Sequence, residues 1–285
     1  MVMCLSGALD LVSPYVVGHQ KRVAFISYCI ASELGLEDKA VREITFAAAL
    51  HDCGAFTLSE RMESIAYDYA FSFEKGFQHA VRGHSLLRKY QPFSTIAPYV
   101  LFHHHPWTDG AGREANGLNV PDGAHIINLA DRIDVLVDYR KGLLGQRNDI
   151  LDRIEEDKGK LFNPGFVEAF RPVSELECFW LDLSTGGFEK ILENEIRPFA
   201  PSIGIEGITE LVRLLSRFVD YRSSFTASHS TGVAASASAI ARLSGIPDSR
   251  CRMIMIAALL HDIGKLAVPS EILEKPGALT PGELN

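Results

Sequence analysis

Little in this chain of 285 residues marks it as secreted, membrane-bound or grasping a polyanion. It has no excess of positive charge. Against 28 Lys and Arg stand 36 Asp and Glu, a formal net charge of -8, which argues against a nonspecific grip on a nucleic-acid backbone. A small anionic substrate remains compatible, because a bound cation inverts the local field. The five cysteines (Cys4, Cys29, Cys53, Cys178, Cys251) form no CxxC pair. An odd, scattered set in apolar surroundings reads as reduced thiols, not a disulfide framework. No apolar run approaches the roughly 18 residues of a membrane span. The opening MVMCLSGALDLVSP lacks a basic leader and carries Asp10. The expectation is a soluble cytoplasmic protein of one or two domains, with neither a nucleic-acid polymer nor a membrane as partner.

Alternating strands flanked by hairpin turns are also missing, and helical periodicity takes their place. HQKRVAFISYCIASELGL puts Val23, Ile26, Ile30 and Leu34 on one face, with Gly35 as a stop signal. DKAVREITFAAALHDCG repeats the device and ends at Gly54. Further helical patterns cover about 76–90, 94–104 and 123–140. The fold class is read as all-α.

The two halves echo each other. His19 precedes His51 by 32 residues, and His229 precedes His261 by the same 32, with matched apolar phase between them. Equal spacing at an offset of 210 (261 minus 51) predicts an internal duplication. The expected organisation is a first domain over 1–145, a helical connector over 146–205 and the start of a second domain over 206–285. The connector is too apolar (LECFWLDL) for disorder.

Chemistry gathers at His51–Asp52, directly after the apolar run Ala47–Leu50. A buried carboxylate needs a cation or strong hydrogen bonds. Downstream, His84, His104, His105 and Asp131 complete a candidate ligand shell, and His19 joins it from upstream. Such mixed nitrogen and oxygen donors suit Fe, Mn or Zn, and two carboxylates can bridge two ions. Paired ions are a standard device for hydroxide attack on phosphorus. His103 is read as a neighbour of the histidine pair, and His79 and His125 as surface or core residues. Asp134 and Asp138, on the helical face of Asp131, are read as solvated or salt-bridged.

The ordered set H, HD, H, HH, D resembles the HD superfamily of metal-dependent phosphohydrolases. HHPWTDGAG further resembles the HD-GYP branch, whose members cleave cyclic dinucleotides and whose signature is HH-x-x-x-D-G-x-G-Y-P. His104, His105, Asp109, Gly110 and Gly112 match it. The resemblance implies tandem HD-domain helical bundles and metal-ligand roles for His19, His51, Asp52, His84, His104, His105 and Asp131. It makes Asp52 catalytic and Asp109 a substrate contact. Trp107, beside them, either stacks on a base or packs. Four positions depart from the family: Pro106 stands for a glutamate, Arg113–Glu114 for Tyr-Pro, and Ala55 for the lysine of HDIGK.

The second half resembles HD-GYP domains nearly word for word at His229, His261, Asp262, Gly264, Lys265, Pro269 and Lys275–Gly277. Here His229, His261 and Asp262 are the implied metal ligands, Asp262 and Lys265 the catalytic pair, and Lys265 a phosphate contact. The first copy takes 79 residues from Asp52 to Asp131, whereas 23 residues follow Asp262. The second domain is therefore expected to be truncated, a fragment being favoured over completion by another chain. Exposed apolar helices there allow a homodimer. The implied function is a phosphodiesterase with two divalent ions (Fe or Mn, with Zn admissible) acting on a nucleotide such as cyclic di-GMP. The rivals are an inactive signalling scaffold and a phosphohydrolase of monomeric nucleotides.

Overall fold

The computed structural model describes residues 6–7, 18–55, 78–196, 204–222, 229–268, 270–273 and 275–283. Asp10, Cys4 and Pro269, and with them most of the stretch weighed as a leader, lie outside these residues. The first hairpin joins α1 (His19–Glu33) to α2 (Asp38–Ala49). Gly35 makes the corner with φ 65°, a left-handed conformation that a side chain resists. Two closing hydrogen bonds follow from it: Gly35 N–H to Ser32 O (2.9 Å) and Leu36 N–H to Ala31 O (3.3 Å). Val23, Ile26 and Ile30 are buried along α1 as its periodicity predicts, and Leu34 packs at the edge.

Across this hairpin lie α3 (Gln78–Leu87), α4 (Gln91–Ser94), α5 (Ala97–Phe102) and α6 (Asp122–Leu136). Between α5 and α6 lies a short β-ribbon. Strands β1 (Glu114–Ala115) and β2 (Leu118–Asn119) pair antiparallel, Glu114 opposite Asn119 and Ala115 opposite Leu118. Their turn is Asn116-Gly117, both at positive φ (51° and 75°), the combination that fits a two-residue hairpin. The fold is all-α apart from this ribbon.

The stretch read as a connector forms α7 (Arg147–Glu156), α8 (Pro164–Glu175), α9 (Glu177–Thr185) and α10 (Phe188–Ile196). Helix α8 starts where its sequence dictates: Asn163 accepts from Gly165 N–H (2.8 Å), and Pro164 stands at the first helical position. Apolar residues of these helices enter the same core as α1. Phe25 stacks on Phe179 with centroids 5.7 Å apart, and the buried Trp180 donates its indole N–H to Ser174 O (2.8 Å).

Helix α11 (Ile205–Arg222) serves two cores. Leu211, Leu214 and Phe218 belong to the first, whereas Val212 packs with Ala234 and Leu259 of the second hairpin. Tyr90 ties it to the first half by donating to Gly207 O (3.1 Å). The second hairpin consists of α12 (His229–Leu243) and α13 (Asp248–Leu260), followed by the short α14 (Ser270–Leu273). Its outer face is bare, with Ile240 64%, Leu243 89% and Met253 60% exposed. No helix among the described residues is long and apolar enough to cross a membrane.

Candidate metal centre

Just beyond the C-terminal end of α2, His51 and Asp52 enter the core, where both are buried. The His51 ring is fixed by its own helix: Nδ1 donates to Ala48 O (2.7 Å), so the neutral ring turns an Nε2 lone pair inward. The same device ends α5, where His103 Nδ1 donates to Val100 O (2.7 Å). Helix α3 approaches at backbone distance. A Cβ on Gly54 would stand 2.1 Å from His79 O and 2.5 Å from Gly83 N, so only glycine fits between Asp52 and this helix. That contact brings His79 Nε2 to 3.2 Å from Asp52 Oδ1. His79 Nε2 also lies 3.3 Å from His103 Nε2 and 3.1 Å from His104 Nε2.

On the other side of Asp52, His51 Nε2 faces Asp52 Oδ2 at 3.5 Å and Asp131 Oδ1 at 3.9 Å. His19, in the first turn of α1, points Nε2 at Asp131 Oδ1 (3.2 Å) and Nδ1 at Asp134 Oδ2 (2.7 Å). Two groups of donor atoms result, each lying within 4.8 Å of one another: Asp52 with His79, His103 and His104, and His19 with His51 and Asp52. Asp52 belongs to both.

Electrostatics sharpen the picture. Burial raises the carboxyl of Asp52, but the imidazoles, His51 first, outweigh it and hold the group well below its ordinary range. Asp131 is likewise held low, burial being overcome by the hydrogen bond and charge of His19. Burial pushes His51 down to about 4 and His104 well below its ordinary value, with His103 and His79 adding to the effect on His104. His19 runs the other way. Burial lowers it, but the hydrogen bonds to Asp131 and Asp134 prevail and raise it to about 10.

Several neutral imidazole lone pairs and two ionised carboxylates thus converge in a buried volume. One of the atoms concerned, His51 Nε2, is buried without a hydrogen-bond partner. Orphaned acceptors in a low-dielectric interior are costly, and a cation satisfies them. The mixed nitrogen and oxygen donors fit Fe, Mn or Zn, so the residues present fit a divalent ion on each side of Asp52.

Five residues of the candidate ligand shell stand together here: His19, His51, Asp52, His104 and Asp131. Two others do not, and the reading is corrected at both. His84 is half-buried and absent from the cluster; it lies five residues beyond His79, about 140° further round the helix. His79 takes the inward position. His105 turns away, its ring 6.2 Å from Phe102 and 6.4 Å from His125, because α5 ends at Phe102 and the inward pair is His103–His104. The base-stacking reading of Trp107 is corrected too, and its packing alternative stands. Its ring is buried between the edge of His125 (5.2 Å) and the guanidinium of Arg113 (4.8 Å), so it packs the loop and offers no free face to a base. Asp109 is exposed on that loop, in the left-handed region (φ 51°). Asp134 is salt-bridged as one alternative had it, but buried.

The second half assembles the same corner in the open. His229 Nε2 lies 3.4 Å from His261 Nε2, and Asp262 Oδ2 lies 3.3 Å from His261 Nε2 and 3.7 Å from His229 Nε2. Lys265 Nζ donates to Asp262 Oδ2 (2.7 Å), and the three candidate ligands form a group of their own. The histidine side chains are 43% and 38% exposed.

Family models described as HD domain match the chain twice, over residues 16–136 and 213–285. Among curated relatives, the 3'3'-cGAMP-specific phosphodiesterase 1 of Vibrio cholerae is 29% identical over 98% of this chain and 66% of its own length. The cyclic di-GMP phosphodiesterase of Thermotoga maritima is 32% identical over 53% of this chain and 43% of its own length. The chain thus spans less than two thirds of either. Among solved structures, a cyclic GMP-AMP specific phosphodiesterase of V. cholerae superposes with a TM-score of 0.68 at 23% identity, covering 99% of this chain and 74% of that one. This last likeness speaks to the fold.

Proposed function

The chain belongs to the HD superfamily, and from that premise we propose that it is a cytoplasmic, metal-dependent phosphohydrolase of the HD-GYP branch, a phosphodiesterase for a cyclic dinucleotide such as cyclic di-GMP or 3'3'-cGAMP. One observation carries the reading: the buried Asp52 carboxylate is shared by two sets of donors. His19, His51, Asp52 and Asp131 would hold one ion, and Asp52, His79, His103 and His104 the other. Bound there, divalent ions supply an acidic water and a polarised phosphate oxygen. The names of the curated relatives support the substrate class.

The chain's own residues supply orientation and charge. His51 and His103 keep their Nδ1 protons on backbone carbonyls, so neither ring donates a proton inward in its neutral form. Asp52 and Asp131 stay ionised throughout the neutral range. Leu50 and Cys53, on either side of the pair, are fully buried and keep bulk water from that flank. In the second half Lys265 is assigned to a phosphate oxygen of the substrate; it already pairs with a carboxylate oxygen, the geometry a phosphate oxygen would take over.

Ala55, Pro106 and Arg113–Glu114 favour a second reading, in which the first half holds ions but serves as a regulatory module. The deciding experiment incubates the protein, loaded with Mn or Fe, with cyclic di-GMP and with 3'3'-cGAMP. Linear dinucleotide is the expected product. Metal-loaded protein that yields none from either substrate rejects the phosphodiesterase reading and leaves the regulatory one.

A further inference from the structure

Resting on the reading that the first half holds ions, we propose that Asp134 is the positioning residue of that centre. Held by Arg22 and Tyr139, it fixes the ring of His19 and sets how tightly the ion on the His19 side is bound.

The histidines differ in where they stand on their helices. His51 and His103 come just after helix ends, so each finds a carbonyl three residues back for its Nδ1. His19 begins a helix. Gly18 before it is left-handed (φ 78°), and no side-chain hydrogen bond caps the terminus. The acceptor for its Nδ1 comes from another element, α6, one turn beyond Asp131. Asp134 Oδ2 takes His19 Nδ1 at 2.7 Å while His19 Nε2 faces Asp131 Oδ1 at 3.2 Å.

Asp134 is itself held from three sides. Arg22, one turn after His19, gives Nε to Oδ1 (2.7 Å) and Nη2 to Oδ2 (3.0 Å). The Tyr139 hydroxyl donates to Oδ1, and the Arg22 guanidinium lies 4.2 Å over the Tyr139 ring. Helices α1 and α6 therefore meet through two pairs at i,i+3 spacing, His19 with Arg22 and Asp131 with Asp134. A buried carboxylate accepting charge-assisted bonds is rigid, and one behind an imidazole both orients the ring and raises its strength as a ligand. The second half has Gly232 at the position of Arg22 (22 plus 210), so this clamp belongs to the first copy.

The test titrates Mn2+ into the chelator-stripped full chain by calorimetry. Asp134→Asn is expected to weaken one of the two binding events by about 10- to 100-fold and leave the other in place. Tyr139→Phe removes a single donor from the clamp and should weaken the same event by less. Wild-type affinity in both variants overturns the inference and leaves the ion-holding reading standing, as does an equal loss at both events. A wild-type chain that binds no Mn2+ overturns both. If circular dichroism shows that Asp134→Asn does not fold, Tyr139→Phe decides alone.

Discussion

In the first copy of the histidine corner, His51 Nδ1 donates to Ala48 O at 2.7 Å and its ring lies 5.3 Å from that of His19. In the second, His261 Nδ1 donates to Ala258 O at 2.8 Å and its ring lies 5.3 Å from that of His229. The helical corners agree as closely, with Gly35 at φ 65° and Gly245 at φ 73°. Burial does not agree. Ile30 is fully buried and its counterpart Ile240 is 64% exposed; the His51 side chain is 1% exposed and that of His261 38%. The difference separates two levels of specification. A two-helix hairpin writes its own corner geometry, from helix end to imidazole tautomer. The low dielectric and the remaining donors come from α3, α5 and α6, which in the first half are packed against it.

The comparison breaks most visibly at the shared carboxylate. Asp52→Asn should abolish both ion-binding events, weakening them by more than about 100-fold, since removing a shared ligand exceeds the effect of removing an orienting group. Asp262→Asn, in the exposed corner, should leave the ion content of the purified chain within about twofold. Elemental analysis after dialysis measures both. Equal losses would mean that the open corner binds as well as the buried one and that burial does not set the affinity.

Acid sharpens the same contrast at a smaller scale. His51 and His104 lie below the ordinary 6.5 in the folded chain, burial being the main cause, so the unfolded chain takes up protons first. Stability of the ion-free protein should therefore fall as pH drops from 6.5 toward about 4, with His51 alone contributing about 3 kcal/mol. His19 is raised, so its contribution is complete below 6.5, is lost only as pH climbs toward 10, and leaves this window flat. The low carboxylates of Asp52 and Asp131 contribute above about 4 and fail only on further acidification. Trp107 stands in the first domain and Trp180 in the connector that shares its core, so their emission in denaturant titrations reports this loss. A flat profile between pH 6.5 and 4 would show that the imidazoles are hydrated.

Much of this was legible in the sequence because it is local. The all-α class follows from periodicity, and the repeat from equal spacing. His19, His51, Asp52, His104 and Asp131 follow from polar residues set against apolar runs. Choosing His84 and His105 failed because helix phase and helix end decide between neighbours. A signal for His79 was present: His79, Gly83, Leu86 and Leu87 form one buried stripe at i, i+4, i+7 and i+8, and His84 falls off it. For the run His103–His105 no pattern shows where α5 stops. Measured from His104 as the second of the pair, Asp109 stands one residue further on than the family signature has it. The Asp134 clamp was invisible for another reason: His19 and Arg22 stand 115 and 112 residues before Asp134 in the chain.

The smallest effect asks whether the two corners are one device. A Cβ at Gly35 or Gly245 meets nothing within 4 Å, so an alanine there carries only the backbone strain of the left-handed region, about 1 kcal/mol. That strain should loosen the hydrogen bond each corner closes, Leu36 N–H to Ala31 O (3.3 Å) in the first and Ile246 N–H to Ala241 O (3.1 Å) in the second. Hydrogen exchange at the Leu36 amide in Gly35→Ala and at the Ile246 amide in Gly245→Ala should accelerate by about fivefold in each. Equal acceleration fits a corner set by the hairpin alone. Acceleration at Leu36 without any at Ile246 would mean that the second hairpin already opens there, and that its geometry depends on the packing which the first half has and the second lacks.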